Sequence, residues 1–291
     1  MNKYYQKGIY KASYKIIVIG DLHGDYRATI SSLLKGKIIN KNLKWIAGKT
    51  NVVQMGDIFD RKPRSIIQTD EDSEFKILKL FMALQKEAFN SGGAFHCILG
   101  NHELLNIIGC FNYVSPMGIK HFKKGEKGRK QYFKPGGIIS NIFSNSWNPI
   151  IKIGKFIFVH GGINKFLSIK YKNKIKVINQ LMRLFLKGHT NLYKKNEFKE
   201  LFMEDNSLLW NRDFSIGKLN NNKKKELKKI VNNFDCSYIV VGHTPQEKGI
   251  NIEGCIWRTD TGMSEAFGKF SYNRIQLLEI LRNGKSFKII K

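Results

Sequence analysis

Residues 15–24 read Lys-Ile-Ile-Val-Ile-Gly-Asp-Leu-His-Gly. The apolar, β-branched run over residues 15–19 predicts a buried strand, and the Gly-Asp pair after it predicts the point where this strand ends. Asp21 and His23 then lie two residues apart at the strand exit, where both side chains are able to reach one metal ion. A carboxylate and an imidazole at such a position predict a metal-binding edge of a β-sheet.

Four further motifs repeat this arrangement along the chain. Each adjoins a short apolar run and carries residue types that bind metals or move protons. The four are Gly56-Asp57-Ile58-Phe59-Asp60-Arg61, Gly100-Asn101-His102-Glu103, His160-Gly161-Gly162 and Gly242-His243-Thr244. One such motif alone is a common turn former, but the whole set in this order predicts a two-metal phosphoester hydrolase.

Asp57 is the candidate for a ligand shared by both metals. Only an anion with two oxygens holds two cations together against their repulsion, and such a pair supplies an activated water and neutralises a phosphoryl group. Carboxylate, amide and imidazole donors together suit Mn, Fe or Zn better than Ca, and all three metals stay open, with Mn preferred. The other predicted ligands are Asp21 and His23 for one metal, and Asn101, His160 and His243 for the second.

His102 is the candidate general acid for the leaving oxygen, because it adjoins the predicted ligand Asn101 and so lies near the phosphoryl group. Asp60 is predicted to accept the other imidazole proton and to keep His102 cationic. Arg61 and Arg212 are predicted to hold the phosphoryl group through paired hydrogen bonds, which Lys does not reproduce.

The order of apolar segments predicts an α/β fold with βαβ units in the first half and a mixed or second sheet later. The predicted strands are 15–20, 52–56, 94–99, a hairpin at 150–159, and 238–241, 252–257, 274–280 and 286–290. The predicted helices are 26–35, 73–90, 175–187 and 197–204, and residues 109–134 are predicted to form a loop-and-short-helix insertion near the site. The simplest division is one domain over residues 1–291, with a mainly helical insertion at about 164–235.

Lysine dominates the charge of the chain. Its 291 residues carry 50 Lys and Arg against 23 Asp and Glu, a formal charge of +27 that attracts phosphorylated or other anionic partners. The lysines are scattered, and the densest run, residues 223–229, contains no Arg or aromatic residue. A compositional origin is therefore favoured over a nucleic-acid footprint, which stays a weaker alternative.

The four cysteines form no CxxC pair, so a disulfide framework is not expected. The first residues lack the apolar stretch of a signal peptide, and no run of the sequence approaches the length of a membrane span. These patterns predict a reducing, cytoplasmic location without a membrane partner. They give no oligomeric state.

The five motifs resemble those of the calcineurin-like metallophosphoesterase superfamily, and within it those of the phosphoprotein phosphatases. The resemblance runs from Ile16 to about Gly268. Additional stretches are similar to the bacterial-type Shewanella-like protein phosphatases, namely residues 100–106, 113–116, 208–212, 241–244 and 260–264.

This resemblance implies a four-layer αββα sandwich, a dinuclear metal centre, and direct attack by a metal-bridging hydroxide without a phosphoenzyme. It implies phosphotyrosine or phosphoserine/threonine in proteins as the substrate, and it matches the metal and acid roles assigned above. Two positions depart from the family pattern. Lys62 stands where members carry Gly after the Asp-Arg pair, which predicts a different loop path, and Cys110 stands where members tend to carry Asp.

Other functions stay open beside the phosphatase. A dinucleoside polyphosphate or nucleotide hydrolase shares the metal site, although relatives of that type often lack the Asp found here at position 60. A nuclease is disfavoured, because Pro245 stands where such relatives carry a second His. A pseudophosphatase or a basic nucleic-acid-associated binder would have degenerate ligands, and the five motifs are intact.

Overall fold

Two six-stranded sheets organise the protein. The computed structural model describes residues 2–64 and 70–291, and every statement about the structure refers to these residues. The strands are β1 (Ile9–Tyr10), β2 (Lys15–Ile19), β3 (Asn51–Gln54), β4 (Ala94–Ile98), β5 (Trp147–Asn148), β6 (Ile150–Ile153), β7 (Phe156–Val159), β8 (Tyr238–Val241), β9 (Asn251–Glu253), β10 (Ile256–Arg258), β11 (Leu277–Leu281) and β12 (Ser286–Ile290).

Helices connect and cover these strands. The α-helices are α1 (Asn2–Tyr5), α2 (Tyr26–Lys35), α3 (Glu74–Asn90), α4 (Asn101–Ile108), α5 (Pro116–Lys120), α6 (Gly125–Phe133), α7 (Ile138–Ser146), α8 (Lys165–Lys170), α9 (Ile175–Leu186), α10 (Asn196–Phe202) and α11 (Asn221–Asn232). Short 3-10 helices lie at Thr190–Lys194, Glu265–Phe267, Tyr272–Arg274 and Arg282–Gly284. No helix in the described ranges is long and apolar enough to cross a membrane.

The first sheet has the strand order β12-β11-β2-β3-β4-β5. Strands β2, β3 and β4 are parallel neighbours, while β11 pairs antiparallel with β2. Because parallel strands end at the same edge of a sheet, the loops after β2, β3 and β4 meet there. This edge carries the first three sequence motifs.

The second sheet has the order β1-β6-β7-β8-β10-β9. Strands β7, β8 and β10 are parallel neighbours, with Phe158 opposite Val240 and Arg258 opposite Val241. His160 and His243 follow β7 and β8, so both lie at one edge of this sheet. Asp260 follows β10 at the same level.

Side-chain alternation along the strands makes a four-layer structure. In β2, Ile16 and Val18 pack with Phe158 and Val240 of the second sheet in an apolar core between the sheets. The alternate residues Ile17 and Ile19 belong to a second core that includes the buried faces of the helices. Helices therefore cover the outer face of each sheet, and the predicted αββα sandwich is confirmed.

Most predicted elements lie within one to three residues of the observed ones, with one clear difference. Residues 252–257 are not a single strand, because Gly254 adopts a φ of 64° and turns the chain between β9 and β10. The segment 109–134 contains α5 and α6, as predicted for a short-helix insertion. Helices α8 to α11 lie between β7 and β8, in the region of the predicted helical insertion, while the division into domains stays a prediction.

Candidate active site

Strand ends from both sheets bring the predicted catalytic and ligand residues together. Their backbone is unusual, because four of them adopt positive φ angles although none is glycine: His23 at 40°, Asp57 at 54°, Asp60 at 72° and His243 at 65°. Such conformations are costly for residues with a side chain and cluster at functional sites. The surrounding fold therefore maintains strained backbone where the motifs turn away from their strands.

Asp57 lies at the centre of two groups of potential metal ligands. One group contains His23, Asp57 and His102, and the other contains Asp57, His160 and His243; within each, the ligand atoms lie within 4.8 Å of one another. Asp57 Oδ2 is 3.8 Å from His23 Nε2 and 3.1 Å from His160 Nε2. Membership of both groups is the geometry that a bridging carboxylate requires.

Glycine permits the close approach of Asp57 to α4. A Cβ atom on Gly100 would collide with Asp57 Oδ1, so only glycine fits at the start of this helix. The His102 amide then donates to Asp57 Oδ1 at 3.0 Å, and the positive end of the helix dipole faces the carboxylate. Glu103 receives hydrogen bonds from the amides of Gly100, Asp57 and Ile58 and fixes this turn.

Orphaned polar atoms show that the residues fit bound cations. Asp21 Oδ1 and His243 Nε2 are buried, and neither has a hydrogen-bond partner in the described part of the chain. The other oxygen of Asp21 accepts from the His243 amide at 2.9 Å, which places Asp21 beside the second group. Asn101 Oδ1 lies 2.9 Å from His160 Nε2, so the predicted amide ligand is also at hand. A cation would satisfy donor atoms that the protein leaves without a partner.

Burial adjusts the pKa values of the imidazoles in two directions. Burial, together with Arg64 and His102, holds the pKa of His23 well below its ordinary value, and burial next to His160 lowers the pKa of His243 to about 2. Both rings are therefore neutral at physiological pH, as metal ligation requires. Burial also disfavours the charged form of His160, but the Asp57 carboxylate outweighs it and raises the His160 pKa.

Asp21 and Asp260 form a pair of like charges next to this cluster. Burial and the neighbouring Asp260 raise the pKa of Asp21, and burial raises the pKa of Asp260 to about 6. Asp260 Oδ2 has no hydrogen-bond partner among the described residues. Asp260 is not among the predicted site residues, although it follows β10, which runs parallel to β8 and ends at the same edge of the sheet as the strand before His243.

We expect Asp260→Asn to change how the stability of the metal-free protein depends on pH. A carboxyl with a raised folded pKa contributes stability that is complete below its unfolded pKa of about 4 and is lost as pH rises through the folded value of about 6. The Asn variant therefore gains stability relative to the wild type over this range, on the order of 3 kcal/mol.

Thermal unfolding in the presence of a chelator, followed across this pH range, measures the effect. The exposed Asp205→Asn substitution is the matched control and should keep the wild-type profile. If the stability of wild type and of Asp260→Asn changed with pH in the same way, a raised pKa of Asp260 would be contradicted.

His102 and Asp60 form the predicted acid pair. His102 Nδ1 is 2.6 Å from Asp60 Oδ2, and both side chains are buried. Burial disfavours the imidazolium, but the carboxylates of Asp57 and Asp60 outweigh it and raise the pKa of His102. With Nδ1 directed to Asp60, Nε2 is the nitrogen available to a substrate, and this arrangement suits a proton donor.

Arg61, a predicted phosphoryl-binding residue, has carboxylate partners in the structure. Its guanidinium is 97% buried and ion-pairs with Asp25 at 3.1 Å and Glu265 at 2.9 Å. It does not line the cavity that the described residues form at the cluster. Asp25 precedes α2 and Glu265 begins a 3-10 helix far along the chain, and both carboxylates compensate the buried charge of Arg61.

Arg64 and Arg212 do line this cavity. One Arg64 nitrogen donates to the backbone carbonyls of Asp60 at 2.6 Å and Lys62 at 2.8 Å, and the other lies 3.5 Å from His102 Nε2. Arg212 donates to the His243 carbonyl at 3.0 Å, and the prediction that it lies near the site agrees with its position. Arg64 is not among the predicted site residues. The sequence feature that points to it is its position two residues after Lys62, in the loop that departs from the family pattern.

Aromatic side chains form the rest of the cavity wall. The cavity measures about 170 Å³, and Tyr113, Trp210 and Phe267 line it beside the two arginines and the ligand cluster. The Tyr113 ring packs against His102 with centroids 5.0 Å apart, and Phe267 packs against His23 at 5.1 Å. Cys110 and Lys62 lie next to this site, in a separate groove beside Tyr113. A narrow cavity thus has metal-ligand residues inside and aromatic rings along its wall.

Comparisons with known proteins identify the family of this chain. The profile of the family described as Calcineurin-like phosphoesterase matches residues 14–247. Shewanella-like protein phosphatase 1 of Plasmodium berghei is 33% identical over 257 residues, which cover 86% of this chain and 67% of the relative. Shewanella-like protein phosphatase 2 of Arabidopsis thaliana is 26% identical over 296 residues, covering 86% of this chain and 72% of the relative.

The fold is also that of a solved structure, a cold-active protein tyrosine phosphatase. It superposes with a TM-score of 0.80 at 24% identity, over 100% of this chain and 83% of that chain. The chain belongs to the calcineurin-like metallophosphoesterases, whose members use a dinuclear metal centre, and it is a phosphatase-type hydrolase. Within this family it groups with the Shewanella-like protein phosphatases.

Proposed function

We propose that this protein is a manganese-dependent phosphatase that removes phosphate from tyrosine side chains of proteins. The observation that carries the proposal is the cavity, in which aromatic residues adjoin two arginines and a cluster of metal ligands. Tyr113, Trp210 and Phe267 offer ring surfaces for the phenyl group of phosphotyrosine, and such ring pairs contribute about 0.5–1.5 kcal/mol each. A serine side chain offers no comparable contact.

The size of the cavity favours a side chain over a dinucleotide. Its volume of about 170 Å³ lies below the roughly 300–1,000 Å³ typical of sites that enclose a drug-sized ligand. A phosphoryl group and part of an aromatic ring fit within such a volume, while the rest of a protein substrate stays outside. Diadenosine tetraphosphate would leave most of its atoms unenclosed, so the nucleotide hydrolase is the second candidate.

The ligand residues would hold two divalent cations, with Asp57 shared between them. We assign Asp21 and His23 to one cation, because Asp21 Oδ1 is a buried oxygen without a hydrogen-bond partner among the described residues. We assign Asn101, His160 and His243 to the other. Bound cations supply an activated water and neutralise charge on the phosphoryl oxygens. Mixed nitrogen and oxygen donors suit Mn, Fe or Zn, and we choose Mn as the working metal.

The protein's own residues supply the proton and the orientation of the substrate. His102 Nε2 donates a proton to the leaving tyrosine oxygen, while Asp60 holds the opposite ring nitrogen at 2.6 Å. Arg64 and Arg212 bind the phosphoryl oxygens, and Tyr113 excludes water from one side of His102. We prefer Arg64 to Arg61 for the phosphoryl contact, because Arg64 lines the cavity.

Arg64→Met is expected to lower kcat/KM about 10- to 100-fold, since a hydrogen bond to a charged group contributes about 1.5–3 kcal/mol. Arg64→Lys should recover only part of this loss, because a point charge does not replace the paired contacts of a guanidinium. Steady-state kinetics on a phosphotyrosine peptide measure both effects.

The matched control is Arg61→Met. Its main expected effect is a lower melting temperature, because it removes the cation beside the buried Asp25 carboxylate, while kcat/KM of the folded protein should fall less than in Arg64→Met. An Arg61→Met protein with wild-type stability and a larger kinetic defect than Arg64→Met would return the phosphate contact to Arg61.

A substrate comparison tests the proposed function. Metal-stripped protein resupplied with Mn²⁺ is assayed on phosphotyrosine peptide, phosphoserine/threonine peptide and diadenosine tetraphosphate. We expect the phosphotyrosine peptide to have the highest kcat/KM, and Tyr113→Ala to narrow its advantage over the phosphoserine peptide. Fastest turnover of the dinucleotide would favour the nucleotide hydrolase, and turnover of none would contradict a phosphatase of these substrates.

The cysteines and the lysines concern the cellular location and the binding partners of the protein. All four cysteines are free in the structure, which suits the predicted reducing, cytoplasmic compartment. Binding of nucleic acid by the lysine-rich surface is not favoured. If it occurs, it should weaken steeply with salt and persist in metal-ligand variants.

A further inference from the structure

Arg129 of α6 is an arginine with no exposed surface. Its side chain is 0% accessible, and no sequence motif includes it. Removing a guanidinium from water costs several kcal/mol, so its partners must compensate the charge. The guanidinium donates to Glu74 Oε2 at 2.7 Å, to Asn106 Oδ1 at 2.7 Å and to the Gly118 carbonyl at 3.1 Å.

The first consequence of these contacts is a fixed orientation of the Asn106 amide. Because Arg129 Nε donates to the amide oxygen, the amide nitrogen must face the opposite way. There it donates to Asp60 Oδ1 at 2.7 Å and to the His102 carbonyl at 2.8 Å. Arg129 thus selects the amide orientation that holds one oxygen of Asp60 and leaves the other for His102.

Glu74 provides a second route from Arg129 to Asp60. One Glu74 oxygen accepts from Arg129, and the other accepts from the Asp60 amide at 2.7 Å. Arg129 itself lies 3.8 Å from Asp60 Oδ1, so its positive charge is next to the carboxylate. Both the backbone and the side chain of Asp60 are therefore held by groups that Arg129 orients.

We propose that Arg129 is a positioning residue for the proton donor His102. Through Asn106 and Glu74 it fixes the Asp60 carboxylate, so that Asp60 Oδ2 receives the Nδ1 proton of His102 and Nε2 faces the substrate. The inference rests on the proposed phosphatase function. It assigns a role to α6, which belongs to the insertion at residues 109–134 and lies outside the five motifs.

Arg129→Met tests this role. A second variant is made in case Arg129→Met does not fold. Loss of the cation leaves the buried Glu74 carboxylate without an opposite charge, so Arg129→Met is also made together with Glu74→Gln. Lys127→Met removes an exposed charge from the same helix and is the matched control.

The kinetic readout compares two leaving groups on the folded variants. A misplaced acid slows departure of a poor leaving group more than that of a good one. We therefore expect kcat for phenyl phosphate to fall about 10-fold further than kcat for p-nitrophenyl phosphate, within the 10²–10⁴-fold that an acid contributes. Lys127→Met should leave the ratio of the two kcat values unchanged. A general loss of stability in the Arg129 variants would lower both kcat values equally and would also leave the ratio unchanged.

A spectroscopic readout is independent of turnover. In zinc-loaded protein with ¹⁵N-labelled histidine, the Nδ1 proton of His102 should be protected from exchange in the wild type and Lys127→Met, and lost or shifted in both Arg129 variants. The inference would be overturned if a folded Arg129 variant kept both the wild-type protection of the His102 Nδ1 proton and the wild-type ratio of kcat on the two esters. If the wild type hydrolyses neither ester, the proposed function fails, and the Nδ1 proton alone then decides the role of Arg129.

Discussion

Asp57→Asn should lower kcat on a phosphotyrosine peptide by about 10³-fold or more, because loss of a shared ligand removes several kcal/mol of metal-dependent stabilisation. An amide has one oxygen donor and no negative charge, so it does not hold two cations together. The carboxylate also accepts a hydrogen bond from the His102 amide and lies 3.1 Å from His160 Nε2, so the variant removes the negative charge beside both groups.

The same substitution should lower the number of metal ions bound per chain below two. Metal content measured on dialysed protein separates this effect from a fault in folding, and circular dichroism checks the fold. Asp205→Asn, which changes an exposed aspartate in the same way, should keep full activity and metal content. Wild-type turnover by Asp57→Asn would remove the bridging role.

His102→Asn is the second substitution with a large expected effect. Loss of the general acid should lower kcat about 10²–10⁴-fold, with a smaller loss on p-nitrophenyl phosphate, whose leaving group needs little protonation. Metal content should change less than in Asp57→Asn, because Asp57, His23, His160 and His243 are still present.

His121→Asn offers a matched control for this substitution. His121 also pairs with a carboxylate, Asp72, at 2.9 Å, but the pair is solvent-exposed and does not line the catalytic cavity. We expect wild-type kinetics from this variant. An equal loss of kcat on good and poor leaving groups in His102→Asn would assign His102 to metal binding, as its place in the first ligand group allows.

The cluster of candidate ligands was predictable because a short sequence pattern marks the position of each one. Asp21, His23 and Asp57 directly follow runs of β-branched residues, and the ends of parallel strands meet at one edge whatever the loops do. The pairing of His102 with Asp60 was also predicted, since both residues belong to these motifs. Local patterning and one topological rule therefore predict which candidate ligands lie close together.

Which of Arg61 and Arg64 lines the cavity was not predictable in the same way. It depends on Glu265, which lies 204 residues from Arg61 in the sequence, and on the path of a loop that departs from the family pattern at Lys62. Arg129 illustrates the same limit, because it lies in the segment 109–134, for which the sequence predicts only a loop-and-short-helix insertion near the site. Only the packing of α6 against α4 shows that its side chain is buried.

The most direct test of the two-metal phosphatase is a titration of metal-stripped protein with Mn²⁺. Bound metal and phosphate release from a phosphotyrosine peptide are measured on the same samples. The structure predicts no turnover without metal, full turnover when two ions are bound per chain, and loss of both in Asp57→Asn. Full activity in the metal-stripped protein, or activity that is complete with one bound ion and intact in Asp57→Asn, would contradict it.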